Sequence, residues 1–231
     1  MKRIFGVLLL FSLAFTAISQ DKVKPTQPDF PGDLMIDFGF NFVNQQPDKL
    51  PNHLWGSNSF GIYYNHRARI NDYISFHPSI GFTFDKYSFD DQFTWMNNGG
   101  GFPVLDSLDS GSPLVKNKLV VNYLELPLEF RIHPFSTVKG EGFFIGLGGV
   151  AGFRMGAHTK VKYFLGENSI KEKLYDDFNV QRFRYGLQAR FGFKTCHFFY
   201  KMYVNDMFSS SPDASGKNPK TFTIGINFSG F

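Results

Sequence analysis

The chain has 231 residues, which is enough for one barrel or one ordinary domain. Its 24 Lys and Arg stand against 20 Asp and Glu, and they are scattered along the sequence with no basic stripe, which argues against nucleic acid as a partner. The single cysteine excludes an internal disulfide framework and a cysteine-based zinc site.

The first 19 residues have the pattern of a cleaved export signal. Lys2 and Arg3 precede an apolar run at residues 4–15, and Ala17-Ile18-Ser19 supplies the small residues of a cleavage site. The run is shorter than the roughly 20 residues that a transmembrane helix needs. Residues 20–32 follow as a polar, proline-containing stretch, which predicts a flexible periplasmic tail.

From residue 33 onward, apolar and polar residues alternate with the period of two that is typical of β-strands. In the first such stretch, Leu34, Ile36 and Phe38 alternate with Met35, Asp37 and Gly39. Eight stretches are predicted as strands: residues 33–43, 59–70, 73–87, 118–133, 142–156, 179–194, 197–206 and 220–231.

The connections between these stretches alternate in length. Residues 44–58, 88–117, 157–178 and 207–219 form long, polar connections, whereas 71–72, 134–141 and 195–196 are short. Outer-membrane barrels have short periplasmic turns and long external loops. An even number of strands with both termini in the periplasm puts every long loop outside.

The two faces of the strands differ in chemistry, which decides the class of fold. One face is rich in Phe, Leu and Ile. The other carries charges of both signs: Arg67, Arg69, Asp85, Glu125, Glu129, Arg131, Arg154, Arg184, Arg190 and Lys201. The interior of an eight-stranded barrel is only just wide enough for side chains, so the phenylalanines would overfill it. We therefore predict an all-β fold, an eight-stranded antiparallel up-and-down transmembrane β-barrel with a filled polar interior, at residues 33–231.

The segment Gly146-Leu147-Gly148-Gly149-Val150-Ala151 formally matches a dinucleotide-binding glycine pattern. That pattern requires a helix after the glycines, and residues 152–156 keep strand alternation instead. We interpret these glycines as space for long arginine side chains from neighbouring strands.

No catalytic, cofactor or metal site is predicted. Glu125 and Glu129 share a face, but four residues of strand separate them by about 13 Å, beyond the roughly 5–9.5 Å of glycosidase carboxylates. The six histidines show no metal-ligand spacing. His77 and His133 both face inward near the periplasmic end, where we interpret them as polar plugs, with a catalytic pair as the alternative.

The second long connection contains apolar residues beside a triple glycine: Phe93, Trp95, Met96 and Phe102. Two interpretations stand. Apolar residues in an exposed loop mark a surface for a partner, or the loop collapses onto the mouth of the barrel.

The run Asn-Tyr-Leu-Glu-Leu-Pro-Leu-Glu-Phe-Arg-Ile at residues 122–132 resembles a hallmark segment of the Bacteroidota outer-membrane β-barrel family called PorT-like. The glycine-rich strand at residues 143–153 is similar to the next family segment. The resemblance implies an eight-stranded barrel in the outer membrane, and the family's named member takes part in type IX protein secretion.

These patterns together predict a non-enzymatic scaffold or accessory subunit of an envelope assembly, with outer-membrane lipid and other envelope or secretion proteins as partners and no nucleic acid. Two alternatives remain open: an outer-membrane enzyme with an active site at one rim, and a secreted lipocalin-like carrier.

Overall fold

The structure is a computed structural model, and it describes residues 32–89, 93–97, 103–107, 114–135, 142–165, 167–193 and 195–230. The predicted signal peptide and almost all of the predicted tail lie outside these residues. No helix in these ranges is long and apolar enough to span a bilayer.

Eight long strands correspond to the eight predicted stretches. Their bounds are β1 (Asp33–Asn44), β2 (Asn58–Asn65), β3 (Ile74–Phe89), β4 (Leu114–Ile132), β5 (Phe144–Leu165), β6 (Phe183–Phe193), β7 (Cys196–Tyr203) and β8 (Lys220–Ser229).

The strands pair in chain order and the sheet closes on itself. Each strand is antiparallel to its sequence neighbours, and β1 also pairs with β8. Phe38 of β1, for example, lies opposite Phe60 of β2 and Ile226 of β8. Closure leaves no edge strand in the ring, and it confirms the predicted eight-stranded up-and-down barrel.

The alternation of each strand separates an apolar outside from a polar inside. Phe38 is 50% exposed, and Leu126 and Phe191 are exposed to a similar extent on the outer surface. Asp37, on the opposite parity from Phe38, is buried. A lipocalin-like carrier would have the reverse arrangement, so that alternative is wrong.

The external ends of the strands carry more regular structure than the sequence pattern predicted. β5 runs to Leu165 and returns as a further strand, Asn168–Tyr175, where a long loop was expected. The second connection contains a hairpin of Phe93–Asn97 and Pro103–Ser107. In the extension of β5 and in Asn168–Tyr175 the alternation involves charged residues on one face, so these segments resemble a polar loop in the sequence.

Three short elements complete the described structure. Asn52–His53 pairs with the end of β3, and the 3-10 helix Leu54–Gly56 follows it in the first external connection. Ala68–Arg69 continues the pairing of β2 with β3 beyond Asn65.

Candidate functional site

A row of three residues crosses the inside of β4, β5 and β6. Gly152 of β5 lies directly opposite Glu125 of β4 on one side and Arg184 of β6 on the other. Because Gly152 has no side chain, the Arg184 guanidinium passes over it and donates from Nη2 to Glu125 Oε1 at 2.6 Å. Its Nη1 donates to Asp85 Oδ2 at 2.6 Å.

A second row repeats this arrangement four residues along the strand. Gly148 of β5 lies between Glu129 of β4 and Gln188 of β6, and Gln188 Nε2 donates to Glu129 Oε2 at 2.9 Å. At Gly146, a Cβ would lie 2.6 Å from Glu129 Oε1. These inward glycines therefore leave the volume that long polar side chains of β4 and β6 occupy.

Asp37 extends the network to the first strand. Arg190 of β6 donates from Nη1 and Nη2 to the two oxygens of Asp37, both at 3.0 Å, which is a bidentate pair. Lys201 of β7 lies 3.0 Å from Asp37 Oδ2. Glu129 also contacts Arg131, whose Nε donates to its Oε1 at 2.5 Å.

Two tyrosines complete the coordination of Glu125, which is fully buried. Tyr63 and Tyr203 each donate a hydroxyl proton to one of its oxygens at 2.6 Å. Lys201 Nζ donates in turn to the Tyr63 hydroxyl oxygen at 2.6 Å. Buried charges are tolerated when oppositely charged groups and hydrogen bonds surround them, and here every luminal carboxylate named has a cationic partner.

The structure places the residues of the predicted charge network as follows. Glu125, Glu129, Arg131, Arg184 and Arg190 lie buried in the lumen, and Arg154 is buried near the external end, where its Nη2 lies 2.7 Å from Asp177 Oδ1. Lys201 and Asp85, which inward parity also indicated, belong to the network. Sequence reasoning did not include Tyr63, Tyr203 or Gln188, although their inward parity could have indicated them.

The prediction for Arg69 is wrong. Its side chain is exposed and pairs with Asp72 of the adjacent turn, because the strand reaches the periplasmic end at this point. Arg67 is half-buried and forms no ion pair within the described residues. Neither arginine reaches the luminal glutamates.

A polar cluster lies inside the barrel near the periplasmic end. Ser75 Oγ lies 2.9 Å from His77 Nε2 and 3.3 Å from His133 Nε2. His77 Nδ1 lies 3.2 Å from Asn65 Nδ2. All four residues are buried. Across the described residues, no group of three or more His, Cys, Asp or Glu is arranged to hold a metal ion.

An aromatic cluster fills the external mouth. Trp95 is 5% exposed, and its ring lies 5.9 Å from Phe89, 5.7 Å from Phe178 and 6.0 Å from Phe208. Its burial contradicts the prediction of an exposed partner loop at Trp95 and agrees with the alternative of a loop collapsed onto the mouth. Phe93 is half-buried under Lys49, and Phe102 and the Met96 side chain lie outside the described residues.

A cleft of about 710 Å³ opens beside this cluster. Trp95 and Phe178 form its apolar wall, and the Arg154–Asp177 ion pair and Arg182 form part of its polar wall. The cleft is therefore part of the external surface that the loops build.

The first and fourth external connections (residues 44–58 and 207–219) contact each other through exposed polar residues. Lys217 Nζ lies 2.6 Å from Asp48 Oδ1, and the Lys49 amide donates to Asp213 Oδ2 at 3.0 Å. Partial burial by itself raises the pKa of Asp213, but hydrogen bonds from Ser215 and the Lys49 amide outweigh it and lower that pKa overall.

Residues 33–208 match the family model described as "Outer membrane protein beta-barrel domain". The chain belongs to this family. The barrel is accordingly an outer-membrane protein, and its apolar outer band faces lipid. No curated protein matches the sequence significantly.

Two solved structures are similar to the barrel at low identity. The N-terminal β-barrel domain of Pseudomonas aeruginosa OprF is 12% identical, with 87% of this chain and 98% of that chain covered and a TM-score of 0.27. A structure described as "Asymmetric conductivity of engineered proteins" is 10% identical, with 86% and 99% covered and a TM-score of 0.22.

Proposed function

We propose that this protein is a non-enzymatic outer-membrane barrel that serves as a scaffold or accessory subunit of a larger envelope assembly, acting through its external loops and rim. The observation that carries the proposal is the filled interior. The ion network around Glu125 occupies the middle, and the aromatic cluster around Trp95 occupies the external mouth. Binding of partner proteins would therefore use the external loops and the rim.

Electrical recording tests whether the interior is closed. The purified protein in a planar bilayer is expected to give no large, stable conductance, because an eight-stranded barrel leaves no channel once side chains fill it. A stable open channel in the wild type would contradict the proposal.

Cross-linking in the native envelope tests the role of the rim. A photo-reactive residue at Trp55 or Asn179, both exposed on the external side, is expected to capture envelope proteins. Matched positions at Leu147 and Leu187, exposed on the lipid-facing band, are expected to capture lipid alone. Absence of any protein adduct from the rim positions would argue against a scaffold.

We further propose that the assembly takes part in type IX protein secretion in a Bacteroidota species. The support is the resemblance of residues 123–128 to the PorT-like segment. Tyr123 and Glu125 of that segment both contact Arg184, so the segment also has a structural role. Deletion of the gene is expected to reduce secreted cargo, and unchanged secretion would refute this part of the proposal.

A second candidate function rests on the periplasmic cluster, because Ser75 Oγ and His77 Nε2 lie 2.9 Å apart, within the reach of a nucleophile and a base. Ser75 is fully buried, which leaves no room for a substrate in this conformation. A serine-reactive fluorophosphonate probe is expected to leave the wild type unlabelled. Labelling that disappears in Ser75→Ala would favour the enzyme instead.

A further inference from the structure

One outward face beyond the lipid-facing band carries a concentration of lysines. β4, β5 and Asn168–Tyr175 continue past the barrel as a three-stranded sheet. Directly opposed residues in antiparallel strands point to the same side. Lys162 lies opposite both Lys116 and Lys171. Lys160 likewise lies opposite both Lys118 and Lys173. We call this surface the lysine face. It also includes Lys86 of β3, so its members are Lys86, Lys116, Lys118, Lys160, Lys162, Lys171 and Lys173.

No carboxylate in the described part of the chain forms an ion pair with this face. Within the described ranges, none of its lysines takes part in an ion pair. Glu172 points to the other side of the sheet, where it accepts a hydrogen bond from the Tyr163 hydroxyl at 2.8 Å. Like charges directly opposite each other destabilise a sheet. An anionic partner on the lysine face would remove that cost.

The position of the face indicates which anion is within reach. On β3, the exposed Phe82 and Phe84 of the lipid-facing band are followed at the next outward position by Lys86. On β5, the exposed Met155 is followed, beyond the register shift at Gly156, by His158 and then Lys160 on the outward face. The lysine face therefore begins where the apolar band ends on the external side. In the outer membrane this level is occupied by the head groups of the outer leaflet.

We propose that the lysine face binds the phosphate groups of a phosphorylated outer-leaflet glycolipid. Each row of three lysines spans two gaps of about 4.8 Å between strands, and the rows are about 7 Å apart along the strands. Several ammonium groups can thus surround one phosphate, or contact two phosphates of one head group. The face would hold the barrel at a defined depth and recruit charged lipid around it.

Binding of purified, detergent-solubilised full-length protein to diphosphorylated lipid A in mixed micelles tests the proposal. The triple variant Lys116→Gln, Lys160→Gln, Lys162→Gln is expected to bind about fivefold more weakly for each lysine removed. The matched control Lys49→Gln, Lys217→Gln, Lys220→Gln removes the same charge from the other external loops and the first residue of β8, and it is expected to bind like the wild type. A triple Lys→Arg variant of the first set keeps the charge and should retain binding.

Two further measurements in the same binding experiment test whether the lysine face recognises the lipid phosphates. Dephosphorylated lipid A is expected to bind weakly to every variant, and inorganic phosphate at the lipid concentration is expected not to compete. Equal losses in both Gln variants, equal binding of dephosphorylated lipid, or competition by free phosphate would overturn the proposal. So would unchanged lipid binding in the first variant together with loss of a cross-linked envelope protein, because the face would then dock a protein.

Discussion

Gly152 on β5 and Arg184 on β6 lie directly opposite each other, and a Cβ at Gly152 would meet the Arg184 Cγ at 3.0 Å. The missing side chain is what allows the guanidinium to cross β5 and reach Glu125 on the next strand. The central ion network therefore depends on a position that has no charge of its own.

Gly152→Val should displace Arg184 and destabilise the barrel, because the inserted methyl groups need space that the arginine stem occupies. Overpacking of this kind typically costs about 1–3 kcal/mol, and separation of the ion pair would add to it. Unfolding by urea in detergent or lipid vesicles measures the effect. Gly156→Val on the same strand is the matched control, because no atom lies within 4 Å of a Cβ there. Equal destabilisation by both valines would show that strand glycines matter only for the backbone.

Arg184→Ala should cost about 3–5 kcal/mol, because it leaves Glu125 and Asp85 buried without their main cationic partner. Arg69→Ala removes an exposed pair with Asp72, where the expected loss is below about 1 kcal/mol. The comparison uses the same substitution and the same unfolding assay. If both variants lost equal stability, the luminal network would contribute no more than a surface pair.

Leu128→Arg should destabilise the inserted barrel by about 2–4 kcal/mol, because it puts a charge near the centre of the lipid-facing run on β4. Trp55→Arg introduces the same side chain at an 85% exposed position in an external loop and should change stability little. Reversible unfolding from lipid vesicles gives both values. A neutral effect at Leu128 would contradict the outward assignment of the Leu and Phe residues.

The two tryptophans allow a direct test of the collapsed external loop. Trp95 is buried in the aromatic cluster, whereas Trp55 is exposed. In Trp55→Phe only Trp95 emits, and its fluorescence should be blue-shifted and protected from quenching by iodide. In Trp95→Phe only Trp55 emits, and its fluorescence should be red-shifted and readily quenched. Strong quenching of Trp95 would show that the loop opens, and would revive the interpretation of an exposed partner surface.

Most of the fold was predictable because every strand repeats the same local pattern. The predicted bounds of the strand around Phe38 differ by a single residue from those of β1. The main difference is the external extension of β5, where the inward Thr159 and Val161 alternate with outward lysines. A strand with a charged outer face is hard to distinguish from a loop, since one apolar face is the signal that periodicity detects.

The site was predictable in kind but not in detail. Inward parity indicated Glu125 and Arg184, but not that they would pair with each other across Gly152. Parity also placed Arg69 inside, and it failed there because a strand pattern does not show where the strand leaves the barrel. Trp95 could not be assigned, since an apolar loop residue has no periodicity to determine which surface it covers.

The sequence by itself determined how many strands form the barrel and which side of each faces lipid, because a period of two is a local property that a shift of one residue would invert. The tertiary structure alone decided which charges meet. Asp37 and Arg190 are 153 residues apart, and only closure of the sheet between the first and last strands brings them to 3.0 Å. Local alternation determines whether a side chain faces lipid or the lumen, whereas the ion pairs across the lumen depend on the register of all eight strands.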